Sequence, residues 1–135
     1  MDRLFLDANV LFSAAYHVDA GVGRLWRAGG AVLVTSVYAA EEARPNLPDP
    51  DQRARLDDLL EALEVVPSGS VAPEHRGDVV LPEKDWPIVG GAVISGATHL
   101  ITGDVRDFGS YFGRRVLGVL VLTPAQYLRG GVKAH

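Results

Sequence analysis

Arg3-Leu4-Phe5-Leu6-Asp7-Ala8-Asn9-Val10-Leu11 decides how this chain is read. Leu4 to Leu6 is a short apolar run of the kind that forms a strand buried on both faces. It stops on an acid, and apolar helix formers follow at once. A strand that ends in a carboxylate just before a helix places that carboxylate at the carboxyl edge of a sheet, where open α/β folds build their sites. Asp is also a favoured helix N-cap. The stretch by itself leaves both roles open for Asp7.

Outward from it, strands and helices alternate. A helix is expected over Ala8 to Tyr16 and a helical piece over Val22 to Ala28, stopped by Gly29-Gly30. Val32-Leu33-Val34 is a buried strand running into Thr35-Ser36, where Ser36 caps a helix that Pro45 ends. Asp49-Pro50 starts the next helix, with Leu56, Leu59, Leu60 and Leu63 on one face. Glu64-Val65-Val66 is a short strand, and 67–82 is loop with a brief helical turn. A helix from Asp85 to Ala97 contains Gly90 and Gly91, which cost about 1 kcal/mol each relative to Ala and suggest close packing on the sheet. His99 to Thr102 is a strand, 107–112 a turn or short helix, and Val116 to Leu122 an apolar strand. Thr123-Pro124 starts a last helix, and the tail after Leu128 reads as frayed. The order predicts one α/β domain over 1–135, with a mostly parallel sheet and helices on both faces.

Composition narrows the function classes. At 135 residues there is room for one core, and the apolar and charged fractions of 47% and 22% are those of an ordinary globular chain. With no Cys, disulfides, thiolate metal sites and cysteine nucleophiles are excluded. The first strand starts almost at Met1, leaving no room for a signal peptide, and no apolar run is long enough to span a bilayer. The default expectation is cytoplasmic, without a membrane partner. A net charge of −4 argues against holding nucleic acid by bulk positive charge. It is compatible with acids gathered at a metal site and a local basic rim, for which Arg24, Arg27, Arg44, Arg106, Arg114 and Arg115 are candidates. Each of these reads more readily as a solubilising surface residue.

The acids fall at telling places. Asp7 and Asp104 each follow a strand, Glu41 and Glu42 ride the helix leaving the second strand, and Asp85 begins a helix facing the same edge. Two such acids pass as caps; four segments converging are harder to dismiss. At ~5 Å and an effective dielectric of ~20, each carboxylate pair repels by about 3 kcal/mol. A cluster of this kind therefore holds protons or divalent cations. Oxygen-only ligands suit Mg2+ or Mn2+, ions that activate water for attack on a phosphodiester. His17, His75, His99 and His135 match no metal-ligand spacing, and His99 reads as structural.

The segments LFLDANVLFSA (4–14), VLVTSVYAAEEARPNL (32–47), EKDWPIVGGAVISGATHLITGDVRDF (83–108) and VLVLTPAQYL (119–128) resemble, in order and spacing, a PIN domain of the VapC-like kind. The resemblance spans nearly the whole chain. It implies a three-layer α/β/α sandwich around a mostly parallel sheet of four to five strands. It also implies a Mg2+- or Mn2+-dependent endoribonuclease, in many members the toxin of a type II toxin–antitoxin pair. Asp7, Glu42, Asp85 and Asp104 match the family's catalytic and metal-binding acids, with Asp107 an auxiliary ligand and Glu41 the less favoured neighbour of Glu42. Asn9, Ser36 and Thr102 are implied to orient ligands or substrate. The partners implied are RNA, an antitoxin and a second copy of the chain, the last through surfaces near Leu25-Trp26 or Leu56 to Leu63, which read more simply as core. Gly90-Gly91 departs from the family's usual small residues such as Ala. Alternatives are a PIN-fold protein-binding module with little catalysis, or a solitary RNA-processing nuclease. A haloacid-type phosphatase wants an Asp where Asn9 stands, and a receiver domain wants paired acids near the start and a late lysine; neither fits.

Overall fold

The computed structural model describes residues 1–130. Its strands are β1 (Asp2–Leu6), β2 (Ala31–Ser36), β3 (Glu64–Val66), β4 (His99–Ile101), β5 (Arg115–Val116) and β6 (Val119–Leu122). They form one sheet in the order β3-β2-β1-β4-β6-β5, parallel except for the β5–β6 pair. The helices are α1 (Ala8–Tyr16), α2 (Val37–Ala43), α3 (Pro50–Glu61), α4 (Trp86–Ile94), α5 (Val105–Phe108) and α6 (Pro124–Leu128). Right-handed crossovers running one way from β1 to β3 and the other way from β3 to β4 put helices on both faces, giving three layers.

The central strand is the one the opening stretch predicts. Leu4, Phe5 and Leu6 of β1 are fully buried, and Leu4 registers with Leu33 on one side while Leu6 registers with Ile101 on the other. Strand order reverses between β1 and β4, so the crevice outside their carboxyl ends is the switch point where α/β sheets bind ligands. That edge is tied together. The Asp7 amide donates to the Ile101 carbonyl and the Thr102 amide to the Leu122 carbonyl, each at 3.0 Å. The Thr35 hydroxyl donates to the Leu6 carbonyl at 2.8 Å.

Three expectations change in detail. The sheet has six strands rather than four or five, because the single strand expected over Val116 to Leu122 folds back on itself. Leu117 and Gly118 both adopt positive φ, 50° and 85°, and make the two-residue turn that suits the twist of a hairpin. The 22–28 piece is a 3-10 helix, Gly21–Arg27. The helix expected from Asp85 to Ala97 starts with a 3-10 turn at Glu83–Asp85 and ends at Ile94. The frayed tail expected after Leu128 falls largely on 131–135, outside the described residues.

Gly90 and Gly91 meet different neighbours. A Cβ on Gly91 would lie 2.8 Å from the Phe5 ring, which is the expected approach to the sheet. A Cβ on Gly90 would lie 2.6 Å from the Ser70 Cα, so its contact is the 67–82 loop. That loop is pinned by Arg76, which donates to the Val71 carbonyl at 2.9 Å, pairs with Glu83 at 2.7 Å and stacks 4.4 Å over the Trp86 ring. Leu25, Leu56 and Leu63 are buried inside the single chain. The Trp26 indole N–H donates to the Leu59 carbonyl at 3.1 Å.

Candidate active site

A cleft of about 520 Å3 opens at the switch point, lined by Asp7, Ala8, Asn9, Phe12, Glu42, Ala43, Asn46, Lys84, Asp85 and Asp104. Each of the four lining acids arrives on a different segment of the chain. Asp7 stands between β1 and α1, Glu42 lies in the last turn of α2, Asp85 precedes α4, and Asp104 precedes α5. Carboxylate oxygens of Asp85, Asp104 and Asp107 lie within 4.8 Å of one another. Asp7 and Glu42 line the same cleft without joining that tight group. Glu41 is not among the lining residues.

Asp7 both opens α1 and lines the cleft at the sheet edge. One carboxylate oxygen accepts from the Ala8 amide at 2.6 Å, at the start of α1. The other accepts from the Thr102 hydroxyl at 2.8 Å and the Asn9 amide group at 3.2 Å. Asn9 is itself held, since its side-chain oxygen accepts from the Gly103 amide at 2.7 Å. Thr102 takes the Asp104 amide at 3.1 Å, so a fully buried hydroxyl couples the acid after β1 to the acid after β4. Asp104 in turn accepts from the Asp107 amide at 3.0 Å, fixing the short α5. Asp85 stands at the N-cap position of α4 without a capping hydrogen bond from its side chain. Its carboxylate is therefore directed to the cluster.

Burial sets the proton affinities. It pushes the Asp7 carboxyl up to about 6, against the Thr102 and Ala8 hydrogen bonds that pull it down, while the nearby charges of Glu42 and Asp104 push it further. Asp85 rises to about 7, first through burial and then through Asp107, with Lys84 opposing. Asp107 is held below the ordinary carboxylate range by its hydrogen bond from Lys84. Replacing Thr102 by Val removes the strongest compensating bond to a buried carboxylate. We expect Thr102→Val to cost about 1–3 kcal/mol at pH 8 in urea unfolding and to raise the Asp7 pKa above 6, read by NMR titration.

Ser36 and the six candidate arginines lie outside the cleft lining. Ser36 is fully buried and is not a lining residue; its hydroxyl accepts from the Ala39 amide at 3.2 Å and caps α2. The structure brings none of the six candidate arginines into the lining, and Arg44 is paired with Asp57. Instead the cation in the cleft is Lys84, whose Nζ lies 2.8 Å from Asp107 Oδ2 and 3.3 Å from Asp85 Oδ1. Lys84, Phe12 and Asn46 also line the cleft. A lysine directly before a site acid at a helix start was the available signal for the first. His99 lies at the other end of β4, edge-on to Tyr127 at 5.3 Å between ring centroids, in the structural role expected of it.

No family model matches the chain, and no curated protein matches it in sequence. Solved structures do match in fold. VapBC2 from Rickettsia felis, bound to a DNA fragment from its promoter, superposes with a TM-score of 0.66 at 14% identity, over 90% of this chain and 98% of that one. VapC20 of Mycobacterium tuberculosis, a toxin that cleaves the sarcin–ricin loop, gives 0.56 at 14% identity over 84% and 98%. FitAB bound to a DNA fragment gives 0.58 at 16% identity over 90% and 94%. Strand order and these superpositions together give the chain the α/β fold of the VapBC2, VapC20 and FitAB structures.

Proposed function

We propose that this chain is a divalent-metal-dependent endoribonuclease, the toxin of a toxin–antitoxin pair. The observation that carries the reading is the convergence of Asp7, Glu42, Asp85 and Asp104 from separate elements on one cleft, at whose edge the oxygens of Asp85, Asp104 and Asp107 lie within 4.8 Å of one another. The donor set fits Mg2+ or Mn2+, because it offers hard carboxylate oxygens and neither thiolate nor imidazole. Asp85, Asp104 and Asp107 would hold the ion, with Asp7 and Glu42 completing the site directly or through water. When bound, the ion supplies positive charge and water activation for hydrolysis of a phosphodiester.

The chain's own residues do the positioning. Thr102 and Asn9 fix the Asp7 carboxylate through hydrogen bonds that also reach Asp104 and Gly103. Such held groups need little rearrangement when charge develops. Phe12 offers a half-buried ring at the cleft wall for a splayed nucleobase, and Asn46, whose side-chain amide donates to the Glu42 carbonyl at 2.9 Å, also lines the cleft. The net charge of −4 argues against recognition through bulk positive charge. The antitoxin partner is supported by the likeness to VapBC2 and FitAB, and RNA as substrate by the likeness to VapC20.

The test is cleavage of structured and single-stranded RNA by the purified chain. Cleavage is expected with Mg2+ or Mn2+, none in excess EDTA, and recovery when metal is restored. Asp104→Asn is expected to lower the rate by about 10²–10³-fold. Cleavage that survives both EDTA and Asp104→Asn, or RNA left intact under every metal condition, would overturn the reading.

A further inference from the structure

We infer that Lys84 is a positioning residue that acts as an internal counter-cation, competing with the divalent ion for Asp85 and Asp107 and so setting the metal concentration at which the site loads. The inference rests on the metal-site reading above and goes beyond it, because it assigns a residue that holds the metal off. The Lys84 ammonium lies 2.8 Å from Asp107 Oδ2 and 3.3 and 3.5 Å from the two oxygens of Asp85. These two acids, with Asp104, form the tightest oxygen cluster among the described residues. The lysine thus occupies two corners of the very triad that offers itself to a cation.

The arrangement is anchored at its base and reaches the acids through a solvent-exposed stem. The Tyr38 hydroxyl donates to the Lys84 carbonyl at 2.8 Å, fixing the backbone from which the side chain reaches the acids. The side chain itself is 62% exposed, whereas those of Asp85 and Asp107 are 7% and 14% exposed. The ammonium's stem is thus far more open to water than the two carboxylates it contacts. A divalent ion that takes the same oxygens must therefore break the Lys84 contacts and release the ammonium to solvent. An ammonium is strongly hydrated and sits on a flexible stem, so its release is easy and the competition is real but limited.

Titration calorimetry with Mn2+ on the full chain tests this, with Lys84→Met, Lys84→Gln and Lys84→Arg beside the parent. Lys84→Met and Lys84→Gln are expected to bind Mn2+ on the order of tenfold more tightly, a modest factor because a partly exposed ion pair is screened. They should also show a larger rise in melting temperature per increment of Mn2+. Lys84→Arg, which keeps the charge, should bind no more tightly than the parent. A purely structural role for Lys84 would weaken binding or leave it unchanged. Equal or weaker Mn2+ affinity in both neutral variants overturns the inference while leaving the metal site standing. Absence of Mn2+ binding from the parent and the folded variants alike overturns both.

Discussion

Asp7→Asn is expected to lose RNA cleavage by about 10³-fold and, in the same molecule, to make the metal-free protein more stable at pH 8. The two effects have one cause. The Asp7 carboxyl has been moved from 3.8 to about 6, chiefly by burial at 5% exposure. Below pH 4 the group is protonated folded or unfolded, and it costs nothing. Between pH 4 and 6 the unfolded chain gives up the proton while the folded chain keeps it, so stability falls as pH rises. Above pH 6 the full cost of about 3 kcal/mol is in place. An amide carries no such cost but makes poorer use of the donors from Ala8, Asn9 and Thr102, so the net gain is expected at about 1–2 kcal/mol. Urea unfolding in EDTA should show that gain at pH 8 and none at pH 4. Asp85, raised to about 7, works in the same direction for the parent protein. A variant that cleaves RNA at the parent rate, or is less stable than the parent at pH 8, would contradict the account.

Gly90→Ala should cost about 2 kcal/mol, a drop of roughly 5–10 °C in melting temperature. In an exposed helix the change would gain about 1 kcal/mol from propensity. Here the new Cβ would lie 2.6 to 2.8 Å from three backbone atoms of Ser70. Backbone has no alternative rotamer to retreat into, and overpacking of this kind costs about 1–3 kcal/mol and occasionally more. Either the 67–82 loop or α4 must move, and α4 carries Asp85 at its start. Gly91→Ala meets the Phe5 ring at 2.8 Å and should behave similarly. Gly29→Ala, with nothing within 4 Å, is the control and should stay within about 0.5 kcal/mol. Differential scanning calorimetry of the three variants checks the order; a Gly90→Ala protein as stable as the control would refute the packing argument.

How much of this was readable in the chain follows the physics of each signal. Leu4-Phe5-Leu6 could be read because a strand buried on both faces must be continuously apolar. Asp7, directly after β1, and Asp104, three residues past β4, could be placed at the sheet edge because an acid just beyond such a strand has that edge to occupy. The hairpin within Val116 to Leu122 was hidden, since Val116-Leu117-Gly118-Val119 looks as apolar as an unbroken strand and only one glycine hints at the turn. Ser36 illustrates a different limit. A hydroxyl at a strand–helix junction serves a cap and a substrate equally well on paper, and only burial separates them. Lys84 was missed because a lysine's long stem can reach in several directions, and sequence does not say which acids it will find. Gly90-Gly91 announced close packing but not that one partner would be a loop.

The margins of the sheet carry a consequence for assembly. One border strand, β3, has three residues, and its Glu64 is tied back to Arg3 at 3.1 Å; the other, β5, has two residues and begins with Arg115. A visiting peptide that tried to extend the sheet would find only a couple of backbone donors and acceptors on either side, flanked by charge. Among the described residues, the short charged borders thus leave the helices and loops as the larger surfaces open to a partner and give strand-on-strand stacking between copies little to build on.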